Sequence, residues 1–303
     1  MPELARRFLH TCYCCESIEP VAAFMADGLA LDLKMSTPME PSDGNLLGMD
    51  QTIVSAAAFV YDHRGARVSP SIEIQAWDTP PVVGSPLTDP TAVGMQALGY
   101  AVDSVGPAVA KLKALGCSEA ARGVDPFGGA SITLRDPWGV QTDLAVDPDV
   151  PEGKTRMRHL RITVTDLERS VPWYARLGFD EIGRAPITDG GYVGLGGEVT
   201  GTAVRLRLPD EPFEVVLCQF DQPASHGRAP ADPNHAGLYR TAIAVDDTRA
   251  SHDELLAEGI VFDRAPQEVE LNGTPVPDMW ICFLSDPDGV PFEFVQRPRS
   301  AFR

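Results

Sequence analysis

Apolar and polar residues alternate in SIEIQAW at 71–77 and in FEVVLCQF at 213–220, and both runs end on Asp-x-Pro. A period of two predicts half-buried β-strands. A different pattern follows two further apolar runs. MQALGYAVD at 95–103 leads into SVGPAVAKLKALG, and LYRTAIAVDD at 238–247 leads into TRASHDELLAEG. In each, a Ser or Asp cap opens a stretch with apolar residues three and four apart and a Gly closes it, which predicts strand, helix and stop. FLHTCYCC before Ser17 and RHLRITVT before Asp166 open in the same way, with His10 and His159 at corresponding places in an apolar strand. Two more stretches match, TLRDPWGVQTDL at 133–144 and FLSDPDGVPFEF at 283–294. Each holds an Asp-Pro-x-Gly turn between strands and then an acid, Asp143 or Glu293, at the same offset.

These matches make the two halves of the chain copies, and each half is itself double. Four units of β-α-β-β-β are expected, an α+β chain in which the modules pair into two curved, mixed-sheet half-barrels. Pro148 to Thr155 is Pro-rich and charged between two strand patterns. It places one domain at 1–148, a linker at 149–156 and a second domain at 157–303, each expected to form its own sheet with helices on the convex side. The stretch 222–237 reads as the loop between the third and fourth units. GLGGEVTG at 194–201 lacks the helix that a phosphate loop requires and reads as a loop beside a strand.

With 303 residues, 44% hydrophobic and 22% charged, the chain has enough apolar residues for two ordinary cores. A formal net charge of −18 disfavours nucleic acid and anionic membrane surfaces as partners, which leaves a small molecule or another protein. MPELARRFLH carries no apolar stretch of signal-peptide length and no run approaches a membrane span, so a cytoplasmic protein is expected. The 6 cysteines form neither a disulfide framework nor paired zinc knuckles. Cys12 and Cys14 share strand parity with His10, which leaves a pocket-facing role open for Cys12.

Four β-α-β-β-β units, the histidines His10 and His159, GLYRTAIAVDD and DPDGVPFEF together resemble the vicinal oxygen chelate superfamily. That group includes glyoxalases, extradiol dioxygenases, methylmalonyl epimerases, fosfomycin-resistance enzymes and bleomycin-binding proteins. The resemblance covers nearly the whole chain and implies a concave face with up to four ligand positions per half. Carried over, the first half offers His10, Glu73, Ala97 and Asp143, and the second offers His159, Val216, Arg240 and Glu293. Ala97 and Arg240 stand where many members have a second histidine, so neither half keeps the full set. Four units complete two clefts in one chain, and members often dimerise, so a monomer or a homodimer is expected.

The resemblance implies at most one divalent metal per domain, of the kind of Fe, Mn, Zn, Ni or Mg, with His10, Glu73 and Asp143 as the favoured ligands in the N-terminal half. One imidazole and two carboxylates suit such an ion and leave positions for water and substrate. A metal-free polar pocket is the alternative. In the second half Arg240 cannot ligate a metal; it is expected near His159 and Glu293, gripping a substrate carboxylate or pairing with Glu293. Asp143, Glu293 and His159 are the candidate proton carriers, and Arg240 and Cys12 the candidate substrate contacts. Trp77, Tyr100, Phe127, Trp138, Trp173 and Trp280 are candidate aromatic walls; His63, His226, His235 and His252 read as loop or surface residues. An isomerase or lyase acting on a small oxygenated molecule ranks first, a metal-free binder of an organic compound or antibiotic second, and a ring-cleaving dioxygenase third.

Overall fold

The computed structural model describes residues 4–269 and 279–296. Residues 1–3 of the N-terminal reading and 297–303 of the second expected domain lie outside them. Four modules follow one another. The first is β1 (Ala5–Cys15), α1 (Ile18–Leu29), β2 (Asp32–Ser36), β3 (Glu40–Asp43), β4 (Thr52–Tyr61) and β5 (Ser71–Thr79). The second is β6 (Gly94–Val102), α2 (Val105–Ala114), β7 (Ser118–Val124), β8 (Ala130–Arg135) and β9 (Gln141–Val146). The third is β10 (Thr155–Thr163), α3 (Leu167–Arg176), β11 (Asp180–Ile187), β12 (Thr200–Arg207) and β13 (Glu214–Gln222). The fourth is β14 (Gly237–Val245), α4 (Thr248–Ala257), β15 (Gln267–Val269), β16 (Met279–Ser285) and β17 (Pro291–Gln296).

The helices start where the caps predict. Asp166 accepts from Glu168 N, and Asp247 accepts from Arg249 N and Ala250 N. Each satisfies amides that the first turn of a helix leaves without a partner. Ser17 and Ser104 hold the cap position in extended backbone but make no side-chain cap bond. Peptide bonds Thr79-Pro80 and Gln222-Pro223, at the two Asp-x-Pro strand ends, are both cis.

The modules build two mixed sheets, and their pairing corrects the expectation that each half of the chain forms its own sheet. One 9-stranded sheet runs β15-β16-β17-β14-β1-β5-β4-β2, with β3 paired to β4, and so joins the first module to the fourth. The 8-stranded sheet runs β11-β12-β13-β10-β6-β9-β8-β7 and joins the second to the third. Antiparallel pairs β1·β14 and β10·β6 are the seams. The physical reason is that every module opens with a strand whose outer edge is free. Sequence repetition identifies the modules as alike but does not say which edges meet. The short connection from β9 to β10 lies inside one sheet rather than between two.

The principal core lies between the convex faces and the helices, where Val21, Phe24, Leu112, Trp173, Tyr174 and Leu255 pack on strand residues. Both Asp-Pro-x-Gly turns clasp another module. Tyr13 of β1 donates to Asp136 Oδ2 at 2.8 Å, while Asp136 Oδ1 accepts from the amides of Trp138 and Val140. In the other turn Tyr174 of α3 donates to Asp286 Oδ2 at 3.2 Å, and Asp286 Oδ1 accepts from Asp288 N and Val290 N. The repeated turn is therefore structural: its carboxylate ties its own backbone to a tyrosine of another module, on strand β1 in one case and on helix α3 in the other.

Burial outweighs those hydrogen bonds and pushes both Asp136 and Asp286 from 3.8 up to about 6. The folded state therefore holds these protons more tightly than the unfolded chain. Their contribution is full below the unfolded value and is lost as pH rises through about 6, on the order of 3 kcal/mol each. Denaturant midpoints are expected to be higher at about pH 5 than at about pH 7.5. A midpoint that climbs steadily over that window would contradict the assignment. Tyr13→Phe strands Asp136 Oδ2 and is expected to lower stability by about 1–3 kcal/mol in the same assay.

Candidate functional site

Strand alternation aims His10 from β1, Glu73 from β5, Arg240 from β14 and Glu293 from β17 at the concave face of the nine-stranded sheet, where they meet. Arg240 stands among them. Its Nη2 donates to both oxygens of Glu73 at 2.8 and 3.0 Å, its Nε donates to Glu293 Oε2 at 3.0 Å, and its Nη1 donates to Gln75 Oε1 at 3.1 Å. All four belong to the first and fourth modules, so one chain completes the group. His10 Nε2 lies 3.3 Å from Glu73 and 3.5 Å from Glu293, at ion-pair distance without a well-aligned hydrogen bond.

These groups are buried, and their charges hold one another. Burial works against ionisation of Glu73, yet Arg240 and then His10 hold it down at about 2. Burial would lower His10, but Glu73 and Glu293 outweigh it and raise the imidazole above 6.5. His10 thus carries a proton more readily than a free histidine does. Burial of Cys12 raises its thiol well above the usual range; its Sγ donates to Gln75 Oε1 at 3.4 Å. Cys12 is fully buried and does not line the cavity.

Above this floor opens a cavity of about 510 Å³. Leu9, Met35, Phe59, Ile281, Phe283 and Val295 supply much of its apolar lining. That size and lining suit a small organic molecule.

The eight-stranded sheet carries the corresponding cleft in a different state. His159 Nε2 lies 3.3 Å from Asp143 Oδ2, and Arg161 grips both oxygens of Asp143 at 2.9 and 3.2 Å. Thr133 adds a donation to Asp143 at 2.6 Å. Although burial opposes ionisation, Arg161 and His159 hold Asp143 below the usual carboxylate range. The loop from β11 to β12, with its 3-10 turn at Gly191–Val193, brings Tyr192 over this group, and the remaining cavity is about 30 Å³. There is room for a water but not for an organic ligand. Gly99 faces His159 across the β10·β6 seam, and a Cβ there would overlap the imidazole. Gly99→Ala is expected to displace His159 and lower the melting temperature; an unchanged melt would show that the ring shifts freely.

The expected ligand set His10, Glu73 and Asp143 is therefore corrected. His10 and Glu73 share one cleft, whereas Asp143 lies on the other sheet with His159. Arg240 is corrected likewise, for it meets Glu293 but stands with His10 and Glu73 rather than His159. Both shifts follow from the cross-paired modules. The correspondences His10 with His159 and Glu293 with Asp143 survive, since each cleft holds one member of each pair. Val216 and Ala97 add no polar group to the second cleft. Tyr100, Trp138 and Trp173 belong to the core, Trp280 stacks under Arg249, and Phe127 borders the second cleft. Trp77 packs with Cys14 and Ile53. The walls Phe59 and Phe283, and the polar partners Gln75 and Arg161, were missed. The last two stand two residues beyond Glu73 and His159, so strand parity was the signal for both.

Neither cleft offers a donor set that fits a resident metal. Among the described residues no group of three or more His, Cys, Asp or Glu is placed to hold one. In the first cleft a permanent guanidinium occupies the centre of the set and uses the carboxylate oxygens that a cation would need.

Paired βαβββ modules, each pair curling around a histidine and a carboxylate, make up a tandem fold of the vicinal oxygen chelate kind. Residues 156–294 match the profile of the Glyoxalase/Bleomycin resistance protein/Dioxygenase superfamily. Glyoxalase I from Zea mays is similar in fold at 17% identity, with a TM-score of 0.70, over 96% of this chain and 92% of that one. A candidate dioxygenase from Bacillus subtilis is similar at 12% identity, with a TM-score of 0.64, over 98% of this chain and 86% of that one. At such identities the likeness is one of fold. No curated relative matches the sequence.

Proposed function

We propose that the first cleft binds a small oxygenated organic molecule and does so without a metal ion. The observation that carries this is the seat of Arg240, whose guanidinium fills the centre of the His10, Glu73 and Glu293 group and leaves an apolar cavity above it. Because Glu73, Glu293 and Gln75 occupy its donors, Arg240 serves as the cation of a fixed floor rather than as a clamp for a substrate carboxylate. The apolar walls then supply most of the affinity, and His10 supplies a proton donor for a ligand oxygen. Sequestration requires no more than this.

A proton-transfer enzyme of the isomerase or lyase type is the second reading, favoured by the raised pKa of His10 at the floor. There the imidazolium gives a proton to a developing oxyanion and takes one back as product forms. A cytoplasmic location accords with six buried free thiols and the absence of a membrane-length apolar helix among the described residues.

A panel of small aromatic and aliphatic alcohols, ketones and amines, screened by thermal shift, tests the site. Compounds that stabilise the wild type are expected to lose much of their effect on Ile281→Trp, which sets a bulky ring into the cavity beside Phe283. If they stabilise Ile281→Trp equally, the first cleft is not their site. His10→Gln separates the readings, since it keeps binding within about tenfold under sequestration but abolishes turnover of any converted compound under proton transfer.

A further inference from the structure

The charges around the mouth of the first cleft are one-sided. Asp43 and Glu268 line it and are exposed, and Glu40, which has a partner within the protein, lines it as well. Asp43 accepts only from the neutral amide of Asn45 in the bonds it makes at the start of the 3-10 turn, so its charge is not neutralised there. Arg240 is the sole Lys or Arg among the described lining residues, and it is spent on the floor. Nearby, Lys34 pairs with Asp32, and Arg264 donates to Asn45 Oδ1 without lining the cavity.

The floor has a different balance. Arg240 is ion-paired to both Glu73 and Glu293, and His10 Nε2 lies at ion-pair distance from the same two carboxylates. His10 is only 8% exposed, and its Nε2 has no hydrogen-bond partner. A ligand therefore meets a floor with no spare cation, apolar walls and an acidic mouth. Low-dielectric walls focus such a field along the entry path, and the whole-chain charge of −18 adds to it.

We propose that the first cleft selects molecules that carry a cationic group, an ammonium or guanidinium, on an apolar body, and disfavours carboxylates and phosphates of the same shape. The cation stays at the mouth between Asp43 and Glu268, partly hydrated, while the body packs against Phe59, Ile281 and Phe283. An anion entering by the same route finds Arg240 and His10 already facing Glu73 and Glu293, so it gains no free cation in exchange for its water. This deepens the small-molecule reading given above and rests on it.

Three probes of one skeleton test the selection: 2-naphthylmethylammonium, 2-naphthylmethanol and 2-naphthoate, titrated calorimetrically into the full chain. The ammonium is expected to bind about tenfold tighter than the carboxylate at about 20 mM salt, with the ratio shrinking at about 200 mM. In the double variant Asp43→Asn, Glu268→Gln, which keeps the cap acceptor and the shape of both side chains, the ratio of ammonium to alcohol affinity is expected to fall about fivefold. Carboxylate binding as tight as ammonium binding overturns the proposal, as does a preference that the double variant leaves untouched. If the alcohol binds and is displaced by filling the cavity with Ile281→Trp while the ammonium has no advantage, only the charge selection fails. If none of the three binds, the small-molecule cleft fails and the selection falls with it.

Discussion

Replacing Arg240 with methionine is expected to lower the unfolding free energy by roughly 3–5 kcal/mol, because the change strands Glu73 and Glu293 as buried carboxylates without their cation. Arg240 is 5% exposed and donates to both acids and to Gln75. Methionine fills a similar length but returns none of those hydrogen bonds. Glu73, held at about 2 in the native chain, would then titrate higher and take up a proton as pH falls. The loss should therefore be larger at about pH 7.5 than at about pH 5. Adding Glu73→Gln to Arg240→Met is expected to recover part of the loss, since the uncompensated charge is gone. A loss below about 1 kcal/mol by urea denaturation would mean that the network is solvated and that Arg240 is not its keystone.

Arg161→Met is expected to cost a similar 3–5 kcal/mol through the same physics in the other sheet. Arg161 is 3% exposed and grips Asp143 with two donors, while His159 stands beside the same carboxylate. The difference lies in function. Tyr192 leaves only about 30 Å³ over this group, so ligand affinity of the first cleft should be unchanged in whatever fraction remains folded. A stable Arg161→Met protein with altered ligand affinity would show that the second cleft communicates with the first or holds the ligand itself.

The modules were legible because helix caps, Asp-x-Pro strand ends and the two Asp-Pro-x-Gly turns recur at matched spacing. Each is local chemistry that the sequence displays directly. Strand alternation sets Arg240 and Ala242 on the same side of β14, where Arg240 lines the cavity and Ala242 packs with Leu9 and Phe283. Which modules share a sheet was not legible, since β1 has the same free edge for β14 as for β6 and the choice is made by long-range packing. That one ambiguity moved Asp143 away from His10 and brought Arg240 to it. The state of the second cleft was hidden for another reason. Glycine-rich 194–199 is a loop that runs into β12 at Thr200, but the position of the preceding Tyr192 over Asp143 depends on tertiary folding rather than on any local signal.

The central claim is that Arg240 takes the place of a metal in the first cleft, and metal retention measures it most directly. Untagged wild-type protein and Arg240→His, each dialysed against Zn, Mn, Ni, Fe or Mg and then against metal-free buffer, are compared by elemental analysis. The wild type is expected to retain no stoichiometric ion. Arg240→His, which removes the competing cation and adds an imidazole to His10, Glu73 and Glu293, is expected to retain about one equivalent of Zn or Ni. One equivalent retained by the wild type and lost on His10→Ala would contradict the account.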